Sequence, residues 1–191
     1  ACSYQPHCPQ ETLPYEWVSS WAMQAGVVVH RWLQLLAEHH VQDSNVERIE
    51  AAEPDFRRML EQLGTAPSDM DRAARRVKAA LLATVTDEKG RWILSGEHAD
   101  ARNEWSLTIP AGERFRNVVI DRTFIADGVR WIIDYKTSSH EGGGLQEFLL
   151  EQSVRYAGQL RAYRTALSGM GREPVRAALY FPLFGAFLEV G

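Results

Sequence analysis

Over residues 17–40 apolar side chains return at Val28, Trp32, Leu35 and Leu36, the three-and-four spacing of a helix with one buried stripe. Helical spacing continues over residues 45–63, where Pro54 limits the run, and over residues 68–84. Ser68 is the expected cap of the latter, with Asp69 and Asp71 favouring the positive end of the helix dipole. After Asp87 the period shortens. Residues 91–95 form a short strand candidate. In residues 103–109, Trp105, Leu107 and Ile109 alternate with Glu104, Ser106 and Thr108, the mark of a half-buried strand. Pro110 to Gly112 turns the chain into two β-prone runs, 115–126 and 129–137. Asp127 and Gly128 join them, the strongest short hairpin signal in the sequence. Residues 140–144 read as a flexible connector and 145–168 as a long amphipathic helix stopped by Gly169 and Gly171. Strands at 175–181 and 186–190 close the pattern, and residues 1–15, with Pro6, Pro9 and Pro14, open it as an irregular lead-in.

Helices, a run of strands, a helix and further strands predict an α+β fold around a mostly antiparallel sheet. The expected organisation is one domain over residues 1–191, mainly helical to residue 90 and sheet-based beyond it. Composition agrees: 191 residues, 45% hydrophobic and 24% charged, exclude a disordered, collagenous or coiled-coil chain. Cys2 and Cys8 are too few for a disulfide framework and form no CxxC pair. The longest uncharged apolar stretch, 177–188, is broken by Pro182 and Gly185 and falls short of the ~18 residues of a membrane span. No charged-then-apolar leader opens the chain, so the expected compartment is the cytoplasm.

The net charge of −4 argues against coating nucleic acid by electrostatics alone, but not against binding a phosphodiester through a metal ion. Locally, residues 151–176 carry five Arg against two Glu, and residues 55–78 six basic against four acidic side chains. On charge alone both read as solvated helix faces.

Candidate chemistry comes from the hairpin. With Asp127 and Gly128 as the centre of a type I′ turn, Ala126 pairs with Val129, and stepping outward places Asp121 opposite Asp134. Lys136 then shares the face of Asp134. Opposed carboxylates repel, and these interrupt the apolar runs 118–120 and 131–133, so they need a shared proton or a cation between them. An oxygen-seeking divalent metal such as Mg²⁺ meets that need, and a nearby ammonium can orient water or steady charge on a phosphate. Asp134 with Lys136 alone reads first as an exposed ion pair; the opposed Asp121 is what that reading leaves unexplained.

Four segments in order resemble the PD-(D/E)xK nuclease superfamily, nearest to its RecB-like branch, the nuclease domains of RecB and AddA helicase–nuclease subunits. They are Gly26-Val27-Val28-Val29-His30, Val119-Ile120-Asp121-Arg122-Thr123, Asp134-Tyr135-Lys136-Thr137 and Gln159-Leu160-Arg161-Ala162-Tyr163. The resemblance implies a restriction-endonuclease-like core, a mostly antiparallel or mixed sheet flanked by helices, with an N-terminal helical segment. It implies Mg²⁺ or Mn²⁺ held by His30, Asp121, Asp134 and the Tyr135 backbone carbonyl. Lys136 would position or activate the attacking water, and Gln159 and Tyr163 would support it. Glu104 is similar to an acid often found on the preceding strand, and equally a solvent-facing strand residue. Without that context His30 among Val, Trp and Leu reads as packed, with Gly26 leaving room one turn earlier. Leu149, Tyr156, Leu160, Tyr163 and Leu167 read as core, Tyr156 included.

The main expectation is therefore a metal-dependent deoxyribonuclease, chiefly an exonuclease, of DNA end processing and recombinational repair. Its partners would be DNA, as a single strand or duplex end, and a superfamily 1 helicase covalently linked or in complex. Arg155, Arg161, Arg164 and Thr137 would contact the backbone. Two cysteines exclude the four-cysteine iron–sulfur cluster of some relatives. With no GxxxxGK[ST] phosphate loop the chain is no helicase by itself, and its abrupt start and finish favour a domain excised from a longer protein. The alternative is a catalytically inactive module of the same fold that binds DNA or supports a helicase complex. A non-haem iron oxygenase fits poorly, since that site wants two His and one carboxylate.

Overall fold

The computed structural model describes residues 19–39, 45–111, 114–138 and 144–191. The expected lead-in with Cys2 and Cys8, the tip of the turn at Gly112 and most of the 140–144 connector lie outside the described residues.

Five helices precede the sheet: α1 (Ser20–Glu38), α2 (Asn45–Ala51), α3 (Glu53–Gln62), α4 (Met70–Thr86) and α5 (Glu88–Leu94). On α1 the stripe Trp21, Ala25, Val28, Val29, Leu33, Leu36 is buried, as one face of a helix requires. The run expected over 45–63 is two helices. It breaks at Ala52, with Pro54 in the first turn of α3, where its missing N–H is harmless. Buried Phe56 and Leu60 hold α3 to the core, each worth about 1.5–3 kcal/mol. The cap of α4 is Asp69 rather than Ser68, and no side chain caps it.

The strand expected at 91–95 is instead part of α5. Asp87 decides this locally: its carboxylate accepts the Gly90 N–H at 2.7 Å and so starts a helix. Gly90 is required there, because a Cβ would stand 2.1 Å from the Thr84 carbonyl oxygen.

Strands β1 (Ala99–Ala111), β2 (Arg114–Ala126), β3 (Val129–Tyr135), β4 (Val175–Phe181) and β5 (Ala186–Val190) form one sheet in sequential order. The pairs β1·β2, β2·β3 and β4·β5 are antiparallel, whereas β3 and β4 are parallel, joined across the sheet by α6 (Leu145–Ser168). The sheet is thus mixed, flanked by helices, as a restriction-endonuclease-like core requires. Asp127 and Gly128, at φ +50° and +73°, make the expected hairpin turn, and β2 and β3 pair in the expected register from Ala126↔Val129 to Arg122↔Ile133.

Both sheet faces are covered. Ile133, Tyr135, Ala178 and Tyr180 pack beneath α1–α5, while Ile132, Ala177, Leu179 and Phe181 pack beneath Leu149, Leu160, Tyr163 and Leu167 of α6. Period-2 alternation along β3 and β4 divides the two layers. No helix among the described residues is long and apolar enough to cross a membrane.

Candidate metal centre at the fork of the sheet

Beyond Arg122↔Ile133 the β2–β3 ladder stops. Ile120 and Phe124, four residues apart on β2, would share a face in a regular pleat. Ile120 lies instead in the α6-side core and Phe124 in the α1–α5 core. The alternation breaks between them, at Asp121 and Arg122. On β1, Asn103 pairs with Arg122 and Trp105 with Ile120, so Glu104 stands across from Asp121; its φ of +46° is a left-handed conformation uncommon for a non-glycine residue.

This break corrects the flat-hairpin expectation of Asp121 and Asp134 facing each other on one face. They meet where the strands part. Asp121 Oδ2 accepts the Tyr135 N–H at 2.7 Å and lies 3.7 Å from His30 Nδ1 on α1. Asp134 belongs to the α6 side: its Oδ1 accepts from Gln159 Nε2 at 2.9 Å, and its Oδ2 stands 2.6 Å from the Lys136 ammonium. That last approach is a close, largely buried ion pair, and the ammonium is the charge that Asp134 Oδ2 faces.

The electrostatics follow. Burial, and then the charge of Asp134, lift the Asp121 carboxyl well above the usual carboxylate range against the opposing Tyr135 N–H. Burial also raises Asp134, with the Lys136 charge working against it. Burial and the Lys136 charge pull His30 down to about 4, although a hydrogen bond at the Tyr135 backbone opposes them, so the imidazole is neutral near pH 7. For Lys136 burial is outweighed by Asp134, and the ammonium is held above the ordinary lysine value.

His30, Glu104 and Asp121 each offer a ligand atom, all within 4.8 Å of one another. A neutral imidazole and carboxylates close enough to raise one another, Glu104 and Asp134 against Asp121, fit a divalent cation. Glu104, which pattern alone left as exposed strand or site acid, is both: exposed, yet aimed into the group. Gly26 permits this assembly. A Cβ there would stand 2.6 Å from Thr137 Oγ1, so any larger residue would have to push that hydroxyl aside for α1 to come this close to the end of β3. Arg76 Nη2 also reaches the Thr137 carbonyl, at 2.6 Å, tying α4 to the same strand end.

On α6, Gln159 Nε2 donates to Tyr163 Oη at 2.9 Å as well as to Asp134, and Tyr163 Oη donates to the Val119 carbonyl at 3.3 Å. The pair links Asp134 to β2. The Tyr156 ring, expected only to pack, has its centre 3.8 Å from Lys136 Nζ. Three residues before Gln159, it shares the same stripe of α6, but helical spacing does not show the lysine beneath it. Of the three expected arginines, Arg155 approaches the site, its guanidinium 5.9 Å from the Tyr156 ring. At about 100° per residue Arg161 falls on the far side of α6 from Tyr156, and Arg164 lies between. The structure does not gather the three.

No curated protein matches the chain significantly. Among solved structures the chain is similar to protein VC1899 from Vibrio cholerae, at 15% identity and a TM-score of 0.32, over 85% of this chain and 47% of that one. The chain thus spans about half the length of that protein, and an overlap this loose carries no argument. A family model carries one, because it matches residues 11–186 and so takes in every side chain of the fork. That match, and a mixed sheet whose parting strands bring acids and a lysine together, lead to one statement: this chain belongs to the PD-(D/E)XK nuclease superfamily.

Proposed function

We propose that this chain is a Mg²⁺- or Mn²⁺-dependent deoxyribonuclease of the RecB/AddA-like branch, the exonuclease domain of a helicase–nuclease acting in DNA end processing and recombinational repair. The observation that carries the chemistry is Asp121: a half-buried carboxyl beside a second, buried carboxyl, with a neutral His30 and Glu104 in ligand range. His30, Asp121, Asp134 and the Tyr135 carbonyl would hold the cation, with Glu104 completing the set. A divalent cation there supplies neutralisation of charge growing on the phosphate and acidifies water. Lys136 directs an ammonium N–H at the attacking water. Gln159 orients Asp134 through Oδ1, and Tyr163 anchors Gln159 to the β2 backbone. Thr137, next to Lys136, and Arg155, beside Tyr156, would contact the DNA backbone nearest the fork; Arg161 and Arg164, turned away on α6, would meet it only farther out. The RecB-like assignment rests on the four ordered motifs, His30 among them, and on Gln159 with Tyr163.

The test is cleavage of end-labelled linear DNA in Mg²⁺, with a circular single strand as the comparison. Asp134→Ala and Lys136→Ala are expected to lower kcat by 10³-fold or more, as loss of a transition-state electrostatic group does, with the melting curve retained. Near-normal activity in either removes the assignment. Equal cleavage of circles removes the exonuclease part, and calorimetry without Mn²⁺ binding at millimolar concentration favours the inactive module.

A further inference from the structure

Tyr156 stands one turn before Gln159 on α6, half-buried, with the face of its ring toward Lys136 Nζ at 3.8 Å. On its other side the same ammonium meets Asp134 Oδ2 at 2.6 Å, and the lysine side chain is only 17% exposed. Lys136 is therefore held between a carboxylate and an aromatic face. These holders differ in kind. Asp134 is shared, since its other oxygen is occupied by Gln159, and any demand on the carboxylate loosens its hold on the lysine. The ring offers only its quadrupole, which attracts a cation without accepting a directed hydrogen bond. It closes one approach to the ammonium and leaves N–H groups free to point into the fork. A lysine on four rotatable bonds needs such a wall, because a carboxylate alone does not choose among its rotamers.

We propose that Tyr156 is a positioning residue that holds the Lys136 ammonium, by ring contact, in the orientation phosphodiester hydrolysis requires. The role rests on the nuclease reading above. It belongs to the ring rather than the hydroxyl, so phenylalanine should serve and an aliphatic side chain should not.

The experiment compares wild type with Tyr156→Phe, Tyr156→Leu and, as a second ringless variant should leucine fail to fold, Tyr156→Met. One readout needs no turnover: in metal-free protein carrying ¹³C-labelled lysine, the Lys136 ε-methylene protons should show an upfield ring-current shift. Wild type and Tyr156→Phe should share that shift, and the ringless variants should lose it. The second readout is steady-state cleavage. Tyr156→Leu should lose about tenfold in kcat, the size of one partly desolvated cation–π contact, with KM within about twofold. Tyr156→Phe should keep at least about half of kcat. A folded ringless variant with wild-type kcat overturns the proposal, as does a wild type without the shift. Tyr156→Phe impaired as deeply as Tyr156→Leu overturns it too, by giving the role to the hydroxyl. A wild type that shows the shift but cleaves no DNA overturns the nuclease reading, and this role with it, whereas active cleavage indifferent to the ring overturns this role alone.

Discussion

Asp121 and Arg122 are neighbours on β2, both withdrawn from water in a way that disfavours their charges, but their partners differ. Each nitrogen of the Arg122 guanidinium has an acceptor: Nε donates to the Ile93 carbonyl, Nη2 to the Ser95 carbonyl at 2.8 Å and Nη1 to Asn103 Oδ1 at 2.7 Å. It ties the end of α5 to the sheet, a buried charge used as architecture. Asp121 has one N–H, a neutral imidazole and two further carboxylates, Asp134 and Glu104, near enough to raise it. A buried charge with its acceptors in place is tolerated and costly to unpair, whereas one set among like charges is held ready for something not yet bound. One residue along a strand separates the two situations, because the pleat breaks between them.

The comparison can be broken from either side. Arg122→Met should cost the largest amount of stability, about 3 kcal/mol or more, because two carbonyls and an amide oxygen lose their donor together. A denaturant midpoint close to wild type would show that Arg122 is not the tie it looks to be. Next in size, Mn²⁺ at a hundredfold excess over its dissociation constant should stabilise wild type by about 2.7 kcal/mol and Asp121→Asn far less. Equal thermal shifts in both would move the cation away from the fork.

Smallest, Asp121→Asn in metal-free protein should be more stable than wild type at pH 8, by less than the Mn²⁺ effect. The sign follows from the raised carboxyl. Its stabilising contribution is complete below the unfolded value near 3.8 and is lost as pH rises through the higher folded value. Asparagine has no such loss, so the advantage should shrink toward zero as pH falls to about 4. Paired melts across that range that stayed parallel would show that Asp121 carries no strain in the apo protein.

Legibility in the sequence followed how local each signal was. The Asp127–Gly128 turn needs only two residues of left-handed backbone, and with it came the register of β2 and β3. The long helix is bounded as its period and its terminal glycine indicated. Residues 91–95 were misread because Trp92, Ile93 and Leu94 form a β-prone run too short for its period to decide, while the Asp87 cap and the Gly90 contact with Thr84 made it a turn of helix. Ser68 and Asp69 were adjacent capping candidates, a choice inside the ordinary error of a helix boundary.

At the site, the turn and its register named Asp121, Asp134 and Lys136, and the family resemblance added His30, Gln159 and Tyr163, but neither said how they meet. A flat hairpin put the two acids on one face, whereas the observed fork brings them in from opposite layers. Nothing in the sequence around Glu104 announces its left-handed backbone, and nothing around Tyr156 announces a lysine beneath it. Periodicity, turn chemistry and the order of the motifs were settled by the chain itself, because each depends on neighbours within a few residues. Where β2 leaves β3, how far Gly26 lets α1 approach Thr137, and which of two adjacent buried charges is left without compensation were decided only by tertiary packing, because each depends on groups tens of residues apart arriving at one place.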